Sequence, residues 1–212
     1  MSKIDSGTII LCISRIYLMI TDRITLLRGI LESSNINHEI SIMNEPTVHD
    51  AHVYCKINNL TGQVAGPMIE KFIQQKYSLE KNSAKDCTGD LRWNDTNIEV
   101  KASLGGKNHN KFNFVQIRMN HSCIYLLTAY YLTETNIDNL GELFMFKLTK
   151  SEMKQLIVKY GGYAHGTIEK HGLITEESIN VENNEKEYAL RPKHGDKCWK
   201  ELLTFRVTEL TV

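Results

Sequence analysis

The stretch that decides the fold runs from Gly89 to Lys101 and reads Gly89-Asp90-Leu91-Arg92-Trp93-Asn94-Asp95-Thr96-Asn97-Ile98-Glu99-Val100-Lys101. Two segments of alternating polar and apolar residues flank a cluster of turn formers, a pattern that predicts a β-hairpin. A turn centred on Asp95 and Thr96 would place three pairs of residues opposite each other: Trp93 and Ile98, Leu91 and Val100, and Asp90 and Lys101.

The hairpin is expected to have one apolar and one polar face, because side chains alternate along a strand. The apolar face carries Leu91, Trp93, Ile98 and Val100, and the polar face carries Asp90, Arg92, Glu99 and Lys101. Two carboxylates and an ammonium would thus meet at one end. A solvated strand face is the alternative, since Glu-x-Lys triplets also occur by chance, as at Glu152-Met153-Lys154.

This polar face suggests a metal site. Magnesium prefers a few carboxylate oxygens, a backbone carbonyl and several waters. Asp90, Glu99 and the carbonyl of Val100 could supply these donors, with Mn²⁺ able to substitute for Mg²⁺. Such an ion would hold a scissile phosphate and acidify an attacking water, while Lys101 would orient that water and stabilise charge on the phosphoryl oxygens.

Asp90, followed nine positions later by Glu99-Val100-Lys101, resembles the PD-(D/E)xK nuclease motif, and the flanking sequence is similar to type II restriction endonucleases. The resemblance implies that Asp90 and Glu99 bind the metal and that Lys101 is the catalytic lysine. Gly89 stands where the motif has its proline. The family often has an acidic residue on the helix before the hairpin, and Glu70 is the candidate, with an exposed helical glutamate as the alternative.

The rest of the chain predicts an α/β fold of the α+β kind, in which helices flank a mixed sheet. Helical spacing of apolar residues extends from Ile9 to Leu31. After Thr61-Gly62 a second helical pattern runs through Met68, Ile69, Phe72, Ile73 and Tyr77, and a capped helix opens at Ser151. Between the last two helices lie four β-rich runs: Cys87–Trp93, Ile98–Leu104, Ile124–Leu132 and Leu143–Leu148. The order helix, hairpin, basic loop, strands resembles the PD-(D/E)xK restriction-endonuclease-like core from about residue 62 to 150.

The 212 residues are expected to form a single endonuclease domain in three parts. Residues 1–60 would be a helical dimerisation part, 62–150 the catalytic core, and 151–212 a C-terminal part that packs and contacts DNA. Within that last part, 161–172 is a predicted glycine-rich loop, 175–187 an exposed acidic segment, and 191–212 a helix and a strand.

Composition limits the function classes. Lys and Arg total 25, as do Asp and Glu, so bulk basicity cannot attract nucleic acid or lipid, and a local basic patch is needed instead. Five scattered cysteines with no Cys-x-x-Cys pair predict reduced thiols in a cytoplasmic protein. The most apolar stretch, Ile9 to Ile20, is short and broken by Arg15, so neither a membrane span nor a signal peptide is expected.

Candidate DNA contacts fall in two basic segments. Between Lys101 and His121 there are four basic residues and no acidic one, as phosphate binding requires. This polar segment, 108–121, is predicted to be a loop or a short helix, and a solvated loop is the alternative for any one residue. The candidate DNA contacts are Lys107, just before this segment, and Asn108, His109, Asn110, Lys111, Asn113, Gln116 and Arg118 within it, since Asn and Gln can pair with adenine and Arg with guanine. Further candidates are His165, Lys193 and Lys197.

Two other features favour structural roles. Phe112 and Phe114 are expected to anchor the core rather than stack on bases. His49 and His52 have a spacing that could bind zinc on a helix, but no third ligand accompanies them, so both are expected to be surface histidines.

The leading hypothesis is a magnesium-dependent type II restriction endonuclease that acts on double-stranded DNA. A palindromic site is most simply cut by a two-fold protein, so a homodimer is expected, with the N-terminal helix in its interface. The resemblance further implies products with a 5′ phosphate and a cognate methyltransferase in the same system. The alternatives are a repair or recombination nuclease of the same superfamily and a DNA-binding protein that does not cut.

Overall fold

Two β-sheets organise the part of the chain that the computed structural model describes, which is residues 46–83, 87–105, 110–133, 135–136, 139–164, 171–181 and 184–210. The predicted N-terminal helix from Ile9 to Leu31 lies outside these residues. So do four of the candidate DNA contacts: Lys107, Asn108, His109 and His165.

The larger sheet has six strands in the order β1-β2-β3-β5-β6-β9. Its strands are β1 (Glu80–Lys81), β2 (Leu91–Trp93), β3 (Thr96–Ser103), β5 (Ile124–Tyr131), β6 (Glu142–Leu148) and β9 (Arg206–Val207). β3 and β5 run parallel and every other neighbouring pair in this sheet is antiparallel. The smaller, antiparallel sheet has the order β4-β8-β7, made of β4 (Phe114–Arg118), β7 (Gly162–Tyr163) and β8 (Glu187–Leu190).

Five α-helices are described: α1 (Val48–Ile57), α2 (Gly62–Lys76), α3 (Lys150–Tyr160), α4 (Glu176–Ile179) and α5 (Lys197–Leu202). Thr47 and Thr149 cap α1 and α3 through reciprocal hydrogen bonds with the third helical residue. Asp196 caps α5 by accepting from the Trp199 N–H. None of the helices in the described ranges is both long and apolar enough to cross a membrane.

The larger sheet separates two hydrophobic cores. On one face, side chains of α2 such as Phe72 and Ile73 pack with Leu91, Ile98 and Val100 of the hairpin. On the other face, α3, Trp199 and the smaller sheet pack with β5 and β6. The fold is therefore mixed α/β, with helices flanking a mixed sheet, as the sequence predicts.

The hairpin forms, but the predicted register is wrong by two residues. Leu91 pairs with Ile98 and Trp93 with Thr96, so the turn is Asn94-Asp95 rather than Asp95-Thr96. Asn94 has a φ of 51°, which two-residue hairpin turns require and which Asn tolerates. A shift of two preserves the predicted faces. Extended past β2, however, the register brings Asp90 level with Glu99 and not with Lys101.

The connection from β3 to β5 contains a strand where a loop or short helix was predicted. Parallel strands need a crossover of about a dozen residues or more, and residues 104–123 provide it. Within this crossover, β4 buries Phe114 and Ile117, so the expected core role of Phe114 is confirmed, as is that of the buried Phe112. Gln116, with a φ of 57°, forms a bulge that breaks the two-residue period, which explains why the sequence pattern conceals the strand.

Three smaller predictions are also tested in the C-terminal part. Its tail does contain a helix, α5, and a strand, β9. The segment predicted as exposed and acidic is largely exposed, including Glu176, Glu177 and Glu185, although Ile179 and Asn184 are buried within it. Gly162 and Tyr163 of the predicted glycine-rich loop form β7 through pairing with β8.

His52 is fully buried, which corrects the prediction of a surface histidine. Its Nδ1–H donates to the Val48 carbonyl over 2.7 Å, and its Nε2 accepts from the Thr128 hydroxyl over 2.9 Å, so the ring links α1 to β5. Burial lowers the pKa of His52 to about 4. The fold therefore contains this histidine in its neutral form.

Acid should weaken the fold through His52. Between its ordinary pKa of 6.5 and the folded value of about 4, the unfolded chain binds the proton more tightly, so stability falls as the pH is lowered through this range. In the wild type, the free energy of unfolding should fall by about 2 kcal/mol between pH 7.5 and pH 5 through this group. In His52→Gln this part of the pH dependence should be absent. Urea unfolding at both pH values measures it, and parallel pH profiles for the two proteins would contradict it.

Candidate active site

The predicted catalytic residues lie at an edge of β3. The ladder between β2 and β3 stops at Leu91 and Ile98, and Asp90 lies just beyond it. Asp90 Oδ2 accepts a hydrogen bond from the Val100 N–H over 3.0 Å. Because the N–H and C=O of a strand residue point to the same side, the Val100 carbonyl faces this edge too. Asp90 and the Val100 carbonyl are thus brought together as the sequence predicts.

Gly89 explains the departure from the proline of the motif. Its φ is +86°, a conformation that proline cannot adopt because its ring fixes φ near −65°. A Cβ at this position would lie 3.0 Å from the Ile98 carbonyl oxygen and 3.2 Å from the Cβ of Cys123. The adjacent Asp90 N–H donates to the same Ile98 carbonyl over 3.0 Å. Glycine therefore lets the chain turn tightly enough to deliver Asp90 to β3.

Gly89→Ala should destabilise the protein by about 1–3 kcal/mol, because it adds both an unfavourable φ and a close contact with backbone. Gly195→Ala is a matched control: Gly195 has a φ of +85°, but no atom lies within 4 Å of its added Cβ. We expect the control to show only the smaller cost of the dihedral angle. Urea unfolding compares the two variants, and equal losses would contradict the role of the close contact.

Glu99 and Lys101 form a nearly buried ion pair. Only 3% of the Glu99 side chain and 18% of the Lys101 side chain are exposed, and Lys101 Nζ lies 2.5 Å from Glu99 Oε1. Both residues lie level with β5, Glu99 beside Tyr125 and Lys101 beside Leu127. A buried carboxylate needs such partners, because an unpaired charge is costly to remove from water.

His121 is a further member of this cluster and is not among the residues predicted from the sequence. Its Nδ1 lies 3.4 Å from Glu99 Oε2, and 12% of its side chain is exposed. His121 closes the acid-free basic segment, which is the one sequence signal near it. The contact itself is invisible in the sequence, because it depends on the crossover returning to β3.

Glu70 reaches the same cluster from α2. Burial, followed by the charge of Asp90, raises the pKa of Glu70, while the ammonium groups of Lys81 and Lys101 lower it. Lys81 Nζ is 3.8 Å from Glu70 Oε1. α2 packs on the opposite face of the sheet from Glu99, yet the charges of Asp90, Lys101 and Glu99 all act on Glu70. The predicted acidic residue on the preceding helix is therefore within electrostatic reach of the other site residues.

The carboxylates of the site oppose one another. Burial, followed by the charge of Glu99, raises the pKa of Asp90, and Lys101 and the Val100 N–H lower it in part. Because its pKa is raised, ionisation of Asp90 destabilises the folded state. The stability that this side chain contributes is therefore present in acid and is lost as the pH rises through the folded pKa. Concentrated negative charge that opposes folding is typical of functional sites.

The donor set fits magnesium. Within the described ranges, no group of three or more His, Cys, Asp or Glu side chains is arranged to hold a metal ion. Magnesium does not require such a cage, because it usually keeps several waters and takes one or two carboxylates. Asp90 and Glu99 would provide these, together with the Val100 carbonyl, and an added cation would relieve the repulsion that raises the pKa of Asp90.

The two predicted basic segments meet in space. Lys111 and Lys193 form an antiparallel bridge, which is extended by two backbone hydrogen bonds, from Phe112 to the Pro192 carbonyl and from His194 to the Asn110 carbonyl. The side chains of Lys111, Lys193 and Lys197 are exposed. We call these three lysines the lysine cluster.

The candidate DNA-contacting side chains of the crossover differ in their exposure and in their hydrogen-bond partners. Asn113 and Gln116 have exposed side chains, and Asn110 is partly exposed. The Asn113 N–H donates to Ser103 Oγ over 3.0 Å, which ties the segment to the end of β3. Arg118 instead pairs with Glu187 at 2.5 Å, so its guanidinium already has a carboxylate partner.

Comparisons with protein-family models, curated proteins and solved structures give no match for this chain. The fold and the site geometry define a mixed α/β protein in which two opposed carboxylates, a lysine and a histidine meet at a strand edge.

Proposed function

We propose that this protein is a magnesium-dependent type II restriction endonuclease of the PD-(D/E)xK superfamily, with the core of that fold. One observation carries the proposal: Asp90, Glu99 and Lys101 converge beside the Val100 peptide at the open edge of β3, within electrostatic reach of Glu70. The substrate would be double-stranded DNA with a short palindromic recognition site, which both subunits of a homodimer would read.

Each site residue has a role in this proposal. Asp90, Glu99 and the Val100 carbonyl would hold Mg²⁺, which when bound activates water and neutralises charge on the phosphate; Mn²⁺ can substitute. Lys101 would orient the attacking water and donate to a phosphoryl oxygen as negative charge develops there. Glu70 would hold water on the α2 side. Attack at phosphorus breaks the bond to the 3′ oxygen and leaves a 5′ phosphate.

The DNA would lie across the crossover. The lysine cluster would bind phosphates, because all three side chains are exposed and the backbones of Lys111 and Lys193 are paired in a bridge. Asn113 and Gln116 would face base edges, since amide side chains can pair with adenine, whereas Asn110, whose Oδ1 is buried, would contribute its amide N–H. We extend the same proposal to Lys107, Asn108, His109 and His165, and to the N-terminal segment as part of the dimer interface. A cytoplasmic location and a cognate methyltransferase belong to the same hypothesis.

Incubation of the purified protein with unmethylated phage DNA tests this function. With Mg²⁺ we expect discrete bands on a gel, and with EDTA we expect intact DNA, because removing the metal removes the activated water. A smear would contradict site specificity. Intact DNA in every lane, repeated with Mn²⁺ and with several DNAs, would refute the nuclease function.

A repair or recombination nuclease of the same superfamily is the second candidate. The pairing of Arg118 with Glu187 favours it, because this pairing occupies one of the candidate base-reading side chains. Such an enzyme would use the same metal site with less base readout. Cleavage of branched DNA in preference to the linear duplex, with no discrete bands from phage DNA, would select this candidate.

A further inference from the structure

The Glu99 carboxylate has a different neighbour at each oxygen. Lys101 lies 2.5 Å from Oε1 and His121 lies 3.4 Å from Oε2, in a position where the Glu99 side chain is 3% exposed. In the proposed function Lys101 acts on water and phosphate, so it must be free to exchange partners. His121 is then the group that stays with Glu99.

The chain holds His121 from several sides. The backbone N–H of His121 donates to the Arg118 carbonyl over 3.4 Å, at the end of β4. The next residue is fixed to the hairpin, because the Ser122 N–H donates to the Cys87 carbonyl over 2.9 Å and the Asn97 side-chain amide donates to the Ser122 carbonyl over 3.1 Å. The crossover thus ends in a fixed backbone that aims the imidazole at Glu99.

We infer that His121 is a positioning residue, whose Nδ1–H donates to Glu99 Oε2 and fixes the orientation of this metal-binding carboxylate. The inference rests on the proposed function. An ionised carboxylate offers about four lone-pair sites, so a hydrogen bond from His121 leaves others for the metal and for Lys101. Hydrogen bonds of this kind typically change metal affinity or activity by about 10–100-fold when they are removed.

Two substitutions separate this role from simple packing. Leucine fills a comparable volume but has no donor, so His121→Leu removes the hydrogen bond and keeps apolar bulk. Asparagine carries its amide nitrogen on Cγ, as histidine carries Nδ1, so His121→Asn keeps a donor in nearly the same place. If positioning is the role, the asparagine variant should recover what the leucine variant loses.

The experiment is a calorimetric titration of DNA-free protein with Mn²⁺, supported by thermal unfolding and single-turnover cleavage. We expect His121→Leu to weaken Mn²⁺ binding and to slow cleavage by about 10–100-fold, with little change in KM for DNA. His121→Asn should restore most of both. His171→Leu is the control histidine, because the ring contact described for His171 is with Tyr163 and not with a site residue, and this variant should bind Mn²⁺ like the wild type.

Two results would overturn the inference while leaving the nuclease function intact: Mn²⁺ binding by His121→Leu equal to that of the wild type, or equal losses in the leucine and asparagine variants. A wild-type protein that neither binds Mn²⁺ nor cuts DNA would refute the proposed function, and the inference with it. The wild-type titration therefore distinguishes the two failures.

Discussion

Replacing Lys101 with methionine is expected to slow DNA cleavage by about 10²–10³-fold, the usual effect of removing one donor that stabilises a developing negative charge. Methionine keeps an unbranched side chain as far as Cε but removes the ammonium that lies 2.5 Å from Glu99. Single-turnover cleavage with Mg²⁺ measures the rate of the chemical step. A rate equal to that of the wild type would remove Lys101 from the mechanism.

The chain provides a matched control in its second Glu-x-Lys triplet. Glu152 and Lys154 lie on α3, where Lys154 donates to the Asn180 side chain and Glu152 caps the helix. Lys154→Met should cleave at the wild-type rate. Because Lys101→Met leaves Glu99 buried with less compensation, Lys101→Gln should be measured beside it, since glutamine can still donate to Glu99. Both Lys101 variants should be slow, with thermal unfolding showing that each is folded.

Trp199→Ala should lower the free energy of unfolding by about 3–5 kcal/mol, as expected when a large buried aromatic side chain is removed. Trp199 is 1% exposed. Its ring lies 4.8 Å from that of Phe112, 4.8 Å from that of Phe144 and 5.5 Å from that of Phe146. The residue therefore joins α5 to both the crossover and β6.

Urea unfolding measures this loss, and Leu203→Ala is its control. Leu203 is 38% exposed and lies directly after α5, so its truncation should cost well under the value for Trp199. The loss for Trp199→Phe should lie between those for Trp199→Ala and Leu203→Ala, since phenylalanine retains an aromatic ring. A loss below about 1 kcal/mol for Trp199→Ala would show that the surrounding rings close the cavity.

The faces of the hairpin could be predicted from the sequence, whereas its register could not. Alternation of polar and apolar residues depends only on parity, and a shift of two residues leaves parity unchanged. The register depends on which residue of the turn accepts a positive φ, and Asn94, Asp95 and Asn97 are all plausible on composition alone. In the structure Asn94 takes that conformation.

The parts of the site that could not be predicted depend on long-range contacts or on local irregularity. His121 contacts Glu99 because a crossover returns across 22 positions of sequence, which no local pattern encodes. β4 was hidden by the bulge at Gln116. His52 was placed on the surface because its partner, Thr128, lies 76 positions away. The proposed metal ligands, in contrast, are close in sequence. Strand periodicity predicts that Asp90 and Glu99 share a face, and the tight turn at Gly89 then delivers Asp90 to β3.

The central position of β5 has a consequence for how the protein opens. β5 is hydrogen-bonded to β3 on one side and to β6 on the other. Its side chains alternate between the two cores: Leu126 enters the core beside α2, and Tyr125 and Leu127 enter the core beside α3. Its amides should therefore exchange with solvent only through global unfolding. β2 has three residues and lies near the sheet edge, so its amides should exchange with solvent faster than those of β5. Glu99 and Lys101 are thus held beside β5, the strand expected to exchange most slowly. Asp90, in contrast, adjoins β2, which is expected to open more readily.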